Sequence, residues 1–478
     1  MKYFLLFVFL LTACSTPKKQ QAIVNDEDYL VALEYIKNNK LIMAAPLLDK
    51  SCKKGMLAAC LANGTPVSRE MLKNAYLYQG ATDTKTTQIN AIVPKGSQYY
   101  PVIWDGLKLV SDNSYNFEIQ SRAHSDWAVM KLVVGNLKVN TTYRIDILDE
   151  KSRLVDFRYF QAHNESQKSL KFLVASCMMD DYQELQSKIW PEAVATNPDV
   201  MFLIGDNTYG DWIDGKPVKE GVGEKLLWRR MVDMRRRIDY FKIETLIPTY
   251  AVWDDHDYGK NNGDKYFTHK ADNQLVFKTF WSQERNNLLI PGKGIGFYLK
   301  LRGHNFYFLD NRSYRDPAND RLGGHFGEQQ EMWLYNLLKN NRSHNWIISG
   351  DQFFGAHHPY ESFEGLHPNK FKSFLENLKR SKSKVFLISG DRHLTELMKV
   401  EKEEVGSQTY EITSSGMHAK YFPETLKKYT SKRMVAGVAG VPNYVVIDSF
   451  ANPNEWTLNL KALSVGNKTL YEQDLLVE

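Results

Sequence analysis

Four apolar stretches of this chain each end in a short turn that carries an aspartate. They are FLIGDNTY (Phe202–Tyr209), AVWDDHDYGKNNG (Ala251–Gly263), WIISGDQ (Trp346–Gln352) and VFLISGDRH (Val385–His393). An apolar run that ends in turn residues is typical of a buried strand that delivers its last side chains to a loop. In open α/β sheets, ligands bind outside the carboxyl ends of the strands. The pattern therefore predicts that four strand ends meet at one shared site.

Predicted strands and helices alternate from Leu170 to about Phe450. The strands include Lys171–Ser176, Val200–Ile204, Phe297–Leu301 and Val385–Ile388, and the helices include Tyr182–Ala195, Glu224–Arg237, Gln274–Glu284 and Gly327–Lys339. Such alternation indicates βαβ units, an α/β fold and a sheet whose two faces are both covered. We therefore assign residues 168–478 to one large α/β domain, which contains all four strand ends.

Residues 84–165 have a different pattern, in which short segments alternate apolar and polar residues between Gly, Asn and Asp turns. Regular short strands of this kind predict a small all-β sandwich domain. The segment GNLKVNTTYRIDI (Gly135–Ile147) resembles the late strands of fibronectin-III-like domains. This region holds no cluster of acids, histidines or cysteines, so we assign no chemistry to it.

The first 14 residues have the features of an export signal. Lys2 is followed by the apolar stretch Phe4–Leu11 and then by LTAC, a segment too short to span a bilayer. The LTAC ending resembles the lipobox of bacterial lipoproteins, in which the cysteine becomes the lipidated first residue. The resemblance implies a lipid anchor on Cys14, and Ser15 after it favours the outer membrane. Plain secretion and an uncleaved anchor are the alternatives, but we expect an exported protein that contacts the membrane through this lipid.

Residues 22–80 are predicted to form a short helical module. Apolar residues recur at helical spacing in two stretches, the second of which is Ala44–Leu61. The segment AAPLLDKSCKKGMLAACLANG resembles a cysteine-rich Sel1-like repeat. That resemblance implies a disulfide between Cys52 and Cys60, which an oxidising compartment permits. Only about one repeat is visible, which argues against a solenoid, and both a spacer role and partner binding stay open.

The overall charge is small for a chain of this length, since 61 basic and 56 acidic side chains give +5 over 478 residues. A mixed, solvated surface is the expected result, and we expect no nucleic-acid partner. The sequence holds no P-loop, no dinucleotide-binding fingerprint and no apolar segment long enough to span a membrane. We expect a monomer.

The side chains at the strand ends are of the kinds that bind metal ions. They are Cys177, Asp206, Tyr209, Asp255, His256, Asp351, Gln352, Asp391 and His393. Oxygen-rich positions suit hard cations, and thiolate with phenolate suits ferric iron. Without cations, several crowded carboxylates repel one another and raise one another's pKa. At any single strand end a helix-capping aspartate or a small buried cysteine is the alternative, but several such ends together favour a metal centre.

Taken in order, these motifs resemble those of the PhoD-like alkaline phosphatase family, a branch of the calcineurin-like and purple acid metallophosphoesterases. The motifs are VASC (174–177), GDNTY (205–209), WDDHDYGKNN (253–262), LDNRSYR (309–315), GEQQEMWL (327–334), SGDQ (349–352) and SGDRH (389–393). The resemblance covers about residues 168–450 and implies a metallophosphoesterase β-sandwich flanked by helices. Many members carry an N-terminal β-rich domain, whereas the helical module is a departure from the family.

The resemblance implies a set of metal ligands. Those of an Fe³⁺ ion would be Cys177, Asp206, Tyr209 and His393. Asp206 would bridge to a second site that holds one or two Ca²⁺ ions. The ligands of that site would be Asp255, Asp391 and Gln352, with Asp254 and Asp351 as further candidates. This assignment also explains Cys177, which is left without a disulfide partner.

Other residues are expected to act on the substrate. By the same resemblance, His256 would contact the scissile phosphate and protonate the leaving oxygen rather than bind metal. Arg312 and Arg315 are candidates for bidentate donors to phosphate oxygens, with surface salt bridges as the competing interpretation. The pocket would be lined by three neutral residues, Tyr258, Asn261 and Asn262.

The function that these inferences imply is metal-assisted hydrolysis of phosphomonoesters or phosphodiesters outside the cytoplasm. A phospholipase D-like activity on membrane lipids is an alternative, because the lipid anchor would hold the site near them. A non-catalytic surface protein, whose N-terminal modules bind a partner, is a second alternative from another class.

Overall fold

The computed structural model describes residues 26–69, 72, 75–285, 287–290, 294–320, 322–342, 344–451 and 456–476. The predicted export signal at residues 1–14, with its lipidation site Cys14, lies outside these ranges. Across the described ranges, no helix combines the length and the apolar character that a bilayer crossing needs. The chain has a mixed α/β fold that is rich in strands, and the α/β class is confirmed at this level.

Three helices open the described chain. They are α1 (Glu27–Lys37), α2 (Leu41–Lys53) and α3 (Leu57–Ala62). Asp26 caps the first of them, because its carboxylate accepts a hydrogen bond of 3.1 Å from the backbone N–H of Tyr29. A disulfide joins Cys52 at the end of α2 to Cys60 in α3. The helical region is shorter than the predicted range of residues 22–80, since the first strand already begins at Tyr76.

Eight strands follow the helices and form two four-stranded antiparallel sheets. They are β1 (Tyr76–Thr82), β2 (Thr87–Pro94), β3 (Tyr99–Asp105), β4 (Lys108–Leu109), β5 (Tyr115–Gln120), β6 (Trp127–Val134), β7 (Tyr143–Asp149) and β8 (Leu154–Phe160). One sheet has the order β1-β2-β6-β5 and the other the order β4-β3-β7-β8. Ile89 and Met130 of the first sheet share a buried core with Ile145 and Phe160 of the second. These strands therefore form a small sandwich.

The remaining chain alternates strands and helices. Its strands are β9 (Ser169–Ala175), β10 (Val200–Ile204), β11 (Trp212–Ile213), β12 (Lys216–Pro217), β13 (Thr249–Val252), β14 (Leu288–Leu289), β15 (Phe297–Leu301), β16 (His304–Phe308), β17 (Asn345–Ile348), β18 (Val385–Ser389), β19 (Leu394–Val400), β20 (Thr409–Ser414), β21 (Met434–Ala439), β22 (Tyr444–Ala451), β23 (Trp456–Ser464) and β24 (Lys468–Leu476). Its helices are α4 (Gln183–Ala195), α5 (Glu224–Arg237), α6 (Asp255–Tyr258), α7 (Lys270–Phe280), α8 (Glu328–Asn340), α9 (Phe363–Leu366), α10 (Pro368–Ser381), α11 (Lys402–Val405) and α12 (Thr425–Lys428). The predicted helix Gln274–Glu284 thus begins four residues earlier than expected, at Lys270.

Two mixed sheets organise this part of the chain. The six-stranded sheet has the order β13-β10-β9-β22-β23-β24, and the eight-stranded sheet has the order β14-β15-β16-β17-β18-β20-β19-β21. The ring of Phe306 contacts the rings of both Phe172 and Phe202 across the interface, at centroid distances of 5.6 and 4.8 Å. The sheets therefore pack face to face.

Helices cover the outer face of the eight-stranded sheet. Leu334 of α8 and Phe374 of α10 share a core with Ile347 and Leu387 of the sheet. The sequence predicted one sheet covered on both faces, whereas each large sheet here turns one face to the other sheet. Apolar alternation alone does not distinguish a covering helix from a covering sheet, because both bury the same side chains.

The small sandwich packs directly against the two-sheet part. Gln79 in β1 forms a bridge with Pro248, and Tyr159 in β8 forms one with Thr245. The side-chain amide of Asn90 in β2 donates to the backbone carbonyl of Thr279, at 3.0 Å. The two bridges hold the segment that leads into β13, whose carboxyl end carries the WDDHD motif, and the Asn90 bond holds α7.

Candidate metal centre

The carboxyl ends of parallel strands from both large sheets converge. Strands β9, β10 and β13 run parallel in the first sheet, and β16, β17 and β18 run parallel in the second. Cys177 lies two residues beyond β9, and Asp206 lies two residues beyond β10. Asp255 follows β13, and Asp391 follows β18. The shared site predicted from the sequence therefore lies at one edge of the sandwich.

Glycines before three of the aspartates allow this convergence. A Cβ atom added to Gly390 would lie 2.7 Å from the carbonyl oxygen of Gly350 and 2.9 Å from that of Ile204. A Cβ atom on Gly205 would lie 2.7 Å from the Cβ of Asp254. The repeated Gly-Asp pair thus serves close packing between strand ends from two sheets, which is a role that the sequence alone did not reveal.

Four residues of the site have left-handed backbone conformations. The φ angles of Cys177, Asp206, Asp391 and His393 are 57°, 51°, 68° and 53°. A residue with a Cβ atom is uncommon in this region, and each such residue costs about 1–3 kcal/mol of folding free energy. Strain of this kind tends to cluster at functional sites. Here it turns four strand-end side chains toward the same point.

Asp206 is the centre of the arrangement. Among the described residues, three groups place their ligand atoms within 4.8 Å of one another, and Asp206 belongs to all three. The groups are Cys177, Asp206 and His393; Asp206, Asp255 and His256; and Asp206, Asp254 and Asp391. One carboxylate with two oxygens can bridge two cations, so the geometry fits a centre with more than one ion. Asp254, a further candidate in the sequence, belongs to this cluster.

One end of the cluster carries a thiol, a phenol and an imidazole. The Sγ of Cys177 lies 3.1 Å from the Oγ of Ser415 and 3.6 Å from a carboxylate oxygen of Asp206. The hydroxyl of Tyr209 lies 3.2 Å from the Nε2 of His393. The Nδ1 of His393 donates to the backbone carbonyl of Lys420, which leaves Nε2 unprotonated in the neutral ring.

Burial and mutual repulsion control the charges in the cluster. Burial raises the pKa of the Cys177 thiol to about 12 and that of Asp391 to about 7. Burial also raises the pKa of Asp206 well above its usual value, with further contributions from Cys177 and Asp255. Burial lowers the pKa of His393 to about 4, so its imidazole is neutral. The acidic groups would lose their protons if cations neutralised the site.

Asp255 behaves differently from its neighbours. Burial opposes its ionisation, but the charges of His256 and Arg312 outweigh burial and hold the pKa of Asp255 at about 2. The backbone N–H groups of His256 and Asn262 also donate to its two oxygens, each at 2.8 Å. Asp255 is therefore ionised at neutral pH before any cation binds.

His256 is held by a residue that sequence reasoning missed. Its Nδ1 lies 2.6 Å from the Oδ1 of Asp211, which is buried and also accepts the backbone N–H of Asn261 at 2.8 Å. The ring stacks on Tyr209 with a centroid distance of 4.2 Å. Burial disfavours the imidazolium, but Asp255, Asp206 and Asp211 together raise the pKa of His256 well above its usual value. The position of Asp211, two residues after GDNTY in the same turn, was the available signal.

Arg312 and Arg315 form buried ion pairs at the cluster. Arg312 is fully buried and pairs with Asp254 and with Glu361, the latter at 2.9 Å. Arg315 is also buried and pairs with Asp351 at 3.5 Å and with Glu361 at 2.5 Å. Both side chains are buried, so the competing interpretation of surface salt bridges is wrong, and the phosphate contact stays a prediction. Their guanidinium groups pair with Asp254 of the cluster and with two carboxylates outside it, and one of these, Glu361, is a second residue that the sequence did not reveal.

Gln352 and Asp351 are also engaged elsewhere. The amide nitrogen of Gln352 donates to the hydroxyl of Thr413 at 2.8 Å, and its oxygen lies 2.9 Å from the Nε2 of His358. Asp351 accepts a hydrogen bond from Asn311, at 3.0 Å, and lies 2.9 Å from the Nε2 of His325. Their partners surround the cluster and do not belong to it.

The three residues expected to line the pocket lie in or next to the turn that carries His256. Tyr258 is buried, and its hydroxyl donates to the backbone carbonyl of Asp264 at 2.9 Å. Asn261 and Asn262 contribute backbone N–H groups, to Asp211 and Asp255 respectively. They shape the turn that carries His256.

Comparison with known proteins adds little to this picture. No protein-family model matches the chain. A segment of 90 residues, 18% of the chain, is 32% identical to a Bacillus subtilis (strain 168) protein described as an uncharacterized HTH-type transcriptional regulator, YdeF. The match spans 20% of the length of that protein. A similarity of this extent does not assign the chain to a family.

Proposed function

We propose that this protein is a metal-dependent phosphoester hydrolase of the PhoD-like type, with a metallophosphoesterase sandwich as its catalytic domain. The observation that carries the proposal is the position of Asp206, which belongs to three adjacent groups of metal-ligating side chains. A bridging carboxylate between two cation sites is the arrangement that suits two-metal phosphoester hydrolysis.

The residues of the cluster fit the ions that the family resemblance implies. The group of Cys177, Asp206 and His393, with Tyr209 beside it, offers the thiolate, phenolate and imidazole donors that suit Fe³⁺. The carboxylates of Asp254, Asp255 and Asp391 suit Ca²⁺. The Oδ2 of Asp254 is buried and has no hydrogen-bond partner, as expected for an oxygen that coordinates a cation when one is bound.

The protein's own groups have separate tasks in this reaction. When bound, the cations would supply Lewis-acid chemistry, polarising the phosphoryl oxygens and acidifying water. Asp211 accepts a hydrogen bond from Nδ1 of His256 and so fixes the ring, which leaves Nε2 to carry a proton to the leaving oxygen. The raised pKa of His256 keeps that proton available at neutral and mildly alkaline pH.

The substrates would be phosphomonoesters or phosphodiesters outside the cytoplasm, cleaved by an exported monomer anchored through a lipid on Cys14. Membrane phospholipids stay a second substrate class, because the proposed anchor would place the site near the bilayer. No nucleic-acid partner is proposed, since the charge of +5 over 478 residues gives little general attraction for phosphate backbones.

Metal analysis combined with hydrolysis tests the proposal. The full chain, solubilised in detergent, is analysed for iron and calcium and assayed at alkaline pH with p-nitrophenyl phosphate and bis-p-nitrophenyl phosphate. We expect bound iron and cleavage of at least one ester, with added Ca²⁺ increasing the rate. An Asp206→Asn variant is expected to lose metal and activity together, whereas Asp316→Asn, which removes a carboxylate paired with Lys265, is the control.

The contrary result is equally clear. A folded protein that takes up neither iron nor calcium and cleaves neither ester would sink the enzyme proposal. The alternative of a surface binding protein would then be pursued through the helical module and the small sandwich.

A further inference from the structure

The two arginines that were expected to bind a phosphate group already pair with carboxylates. Arg312 pairs with Asp254 and Glu361, and Arg315 pairs with Asp351 and Glu361. Moving either one to a substrate would break two ion pairs with buried or partly buried carboxylates, which is unfavourable. A basic side chain at the site without such ion pairs would bind phosphate at a lower cost in free energy.

Arg392 is a buried arginine whose guanidinium has no hydrogen-bond or ion-pair partner among the described residues. It is 7% exposed, and its Nε is buried and makes no hydrogen bond. Within the described ranges, its guanidinium forms no hydrogen bond or ion pair with any side chain or backbone group. Guanidinium groups offer five donors, and burying them without acceptors is costly. A buried arginine in this condition indicates that an acceptor is supplied from outside the chain.

The position of Arg392 in the chain places it at the cluster. It stands between Asp391 and His393, which both belong to the groups of metal-ligating residues. The charge of Arg392 acts on the side chains of both neighbours, lowering the pKa of Asp391 and that of His393. Its charge also acts on His358, whose loop carries Tyr360 and Glu361 past the same edge of the sandwich.

The Arg392 side chain is held in place by an aromatic ring. Its guanidinium lies over the ring of Tyr360, with 4.3 Å between the guanidinium carbon and the ring centroid. Tyr360 is 47% exposed and is itself braced by Tyr429, edge to face at 5.7 Å. A stacked guanidinium keeps its in-plane N–H groups free, since the ring occupies only one face. This arrangement presents an ordered fork of donors rather than a mobile cation.

We propose that Arg392 binds the non-bridging oxygens of the substrate phosphate through its guanidinium N–H groups, and that Tyr360 positions it by stacking. This inference rests on the proposed function and identifies the residue by which the same site recognises a phosphoryl group. The pair of N–H groups matches two phosphate oxygens in a bidentate contact. Binding would then supply acceptors to a guanidinium whose Nε is otherwise buried and unpaired.

The test uses inorganic phosphate as the probe and the detergent-solubilised full chain, loaded with metal. Wild type, Arg392→Gln, Arg392→Lys and Arg433→Gln are compared by titration calorimetry with phosphate and by competitive inhibition of p-nitrophenyl phosphate hydrolysis. Arg433 is the matched control, because its guanidinium is bound by both oxygens of Glu404, at 2.6 and 2.7 Å. Metal content and Tm are measured for each variant.

We expect Arg392→Gln to weaken phosphate binding by about 10- to 100-fold, the loss typical of hydrogen bonds to a charged group. Arg392→Lys is expected to lose less, since it keeps the charge but not the fork. Metal content should stay the same in both variants. Arg433→Gln is expected to bind phosphate like the wild type, even if its Tm falls.

The positioning role of Tyr360 is tested separately. Tyr360→Phe keeps the ring and should keep the phosphate affinity, whereas Tyr360→Ala should weaken it several-fold with unchanged metal content. Equal affinity in Tyr360→Ala and in wild type would overturn the positioning role.

The outcomes distinguish the two levels of the proposal. An active wild type, combined with an Arg392→Gln variant that binds phosphate equally well, overturns the inference and leaves the proposed function intact. The inference is likewise overturned if Arg392→Gln lowers only the Tm. A wild-type protein that takes up no metal and cleaves neither ester overturns the proposed function and this inference with it.

Discussion

At the scale of single residues, the site is controlled by charge and burial. Asp206, Asp391 and Cys177 are held in environments that raise their pKa values, chiefly because burial disfavours their ionised forms. Such crowding lowers the stability of a protein unless a ligand removes the repulsion. The same residues become metal ligands once they are deprotonated. The loss of stability caused by their crowding therefore indicates that a cation binds here.

Metal binding should therefore be linked to pH. Ligation displaces the protons of Cys177, whose pKa is about 12, and of Asp391, whose pKa is about 7. At pH values below the pKa of such a group, we expect the apparent affinity for metal to rise about tenfold per pH unit for each displaced proton. Competition with a chelator between pH 6 and pH 8 measures the slope of the logarithm of metal affinity against pH.

Two variants show how much of this pH dependence of metal affinity comes from the thiol of Cys177. Cys177→Ser is expected to reduce the slope by about one proton, because a serine hydroxyl does not ionise in this range. Ser415→Ala removes a neighbour of the thiol but no ligand, and should leave the slope nearly unchanged. An unaltered slope in Cys177→Ser would argue against thiolate ligation.

Asp211 should act through His256. In Asp211→Asn, we expect kcat to fall by about 100-fold or more, the usual contribution of a well-placed general acid. Because Asp211 helps to raise the pKa of His256, the alkaline limb of the pH profile should move to lower pH. The metal content of Asp211→Asn should stay the same as in wild type. Loss of metal, with no shift of the limb, would assign Asp211 a structural role instead.

At the scale of secondary structure, function lies at the ends of strands rather than within them. Strands β9, β10, β13 and β18 are buried throughout, with the exception of the first residues of β9. Their sequences therefore serve packing, while the residues directly after them carry the chemistry. The glycines at these ends are what allows the two sheets to approach.

A methyl group at Gly390 should disturb this approach. In Gly390→Ala the new Cβ would meet three atoms closer than 3.0 Å, among them the carbonyl oxygens of Gly350 and Ile204. We expect a loss of about 1–3 kcal/mol in the free energy of unfolding and a lower metal content. Gly324→Ala is the control, since its Cβ would have its nearest contact at 3.7 Å. Urea unfolding and metal analysis measure the two effects, and equal behaviour of both variants would contradict the packing role.

His418 ties the end of β9 to helix α4. Its Nε2 accepts a hydrogen bond from Trp190 at 3.0 Å, and its Nδ1 donates to the carbonyl of Met179 at 3.0 Å. Burial lowers the pKa of His418 from 6.5 to about 4. Because the unfolded chain binds the proton more readily, this residue's contribution to stability is lost as pH falls from 6.5 toward 4.

The contribution of His418 can be isolated by comparison with His418→Gln. Between pH 6.5 and pH 5, wild type should lose about 2 kcal/mol more of its free energy of unfolding than the variant does. Urea unfolding at both pH values gives the difference. The same pH slope in the two proteins would contradict a buried neutral imidazole.

At the scale of the whole molecule, three parts pack in sequence. Tyr29 and Leu48 of the helical module share a buried core with Tyr100 and Trp104 of the small sandwich. The sandwich in turn contacts the two-sheet part through the Gln79 bridge and the amide of Asn90. The helices α1 to α3 thus pack on the small sandwich, which stands between them and the part that carries the strand ends.

Opening the disulfide should loosen the helical module alone. The bond closes a loop with a sequence separation of 8, for which chain entropy gives about 2.5 kcal/mol. In the double variant Cys52→Ser and Cys60→Ser, limited proteolysis should cut within α1 to α3, while metal content and hydrolysis stay as in wild type. A parallel loss of hydrolysis would show that the module supports the site.

Much of the fold could be predicted because its signals are local. The strand Phe297–Leu301 and the helix Glu224–Arg237 have the bounds that the sequence indicated, since apolar periodicity depends only on neighbours along the chain. The residues of the cluster could be named for the same reason, because each follows an apolar strand within a few positions. Apolar periodicity could not predict the packing partner of each sheet, because burial by a helix and burial by a sheet produce the same pattern. Only the family resemblance implied a sandwich.

The sequence by itself determined which side chains stand at the strand ends, and therefore the chemical character of the site. Only the tertiary structure decided how they pair: Asp211 with His256, and Glu361 with both Arg312 and Arg315. These partners are 45 or more positions apart in the chain. Such pairs depend on which strand ends meet and on the strained turns that aim their side chains, and neither leaves a mark on local sequence. For that reason the sequence did not reveal the buried ion pairs of Arg312 and Arg315.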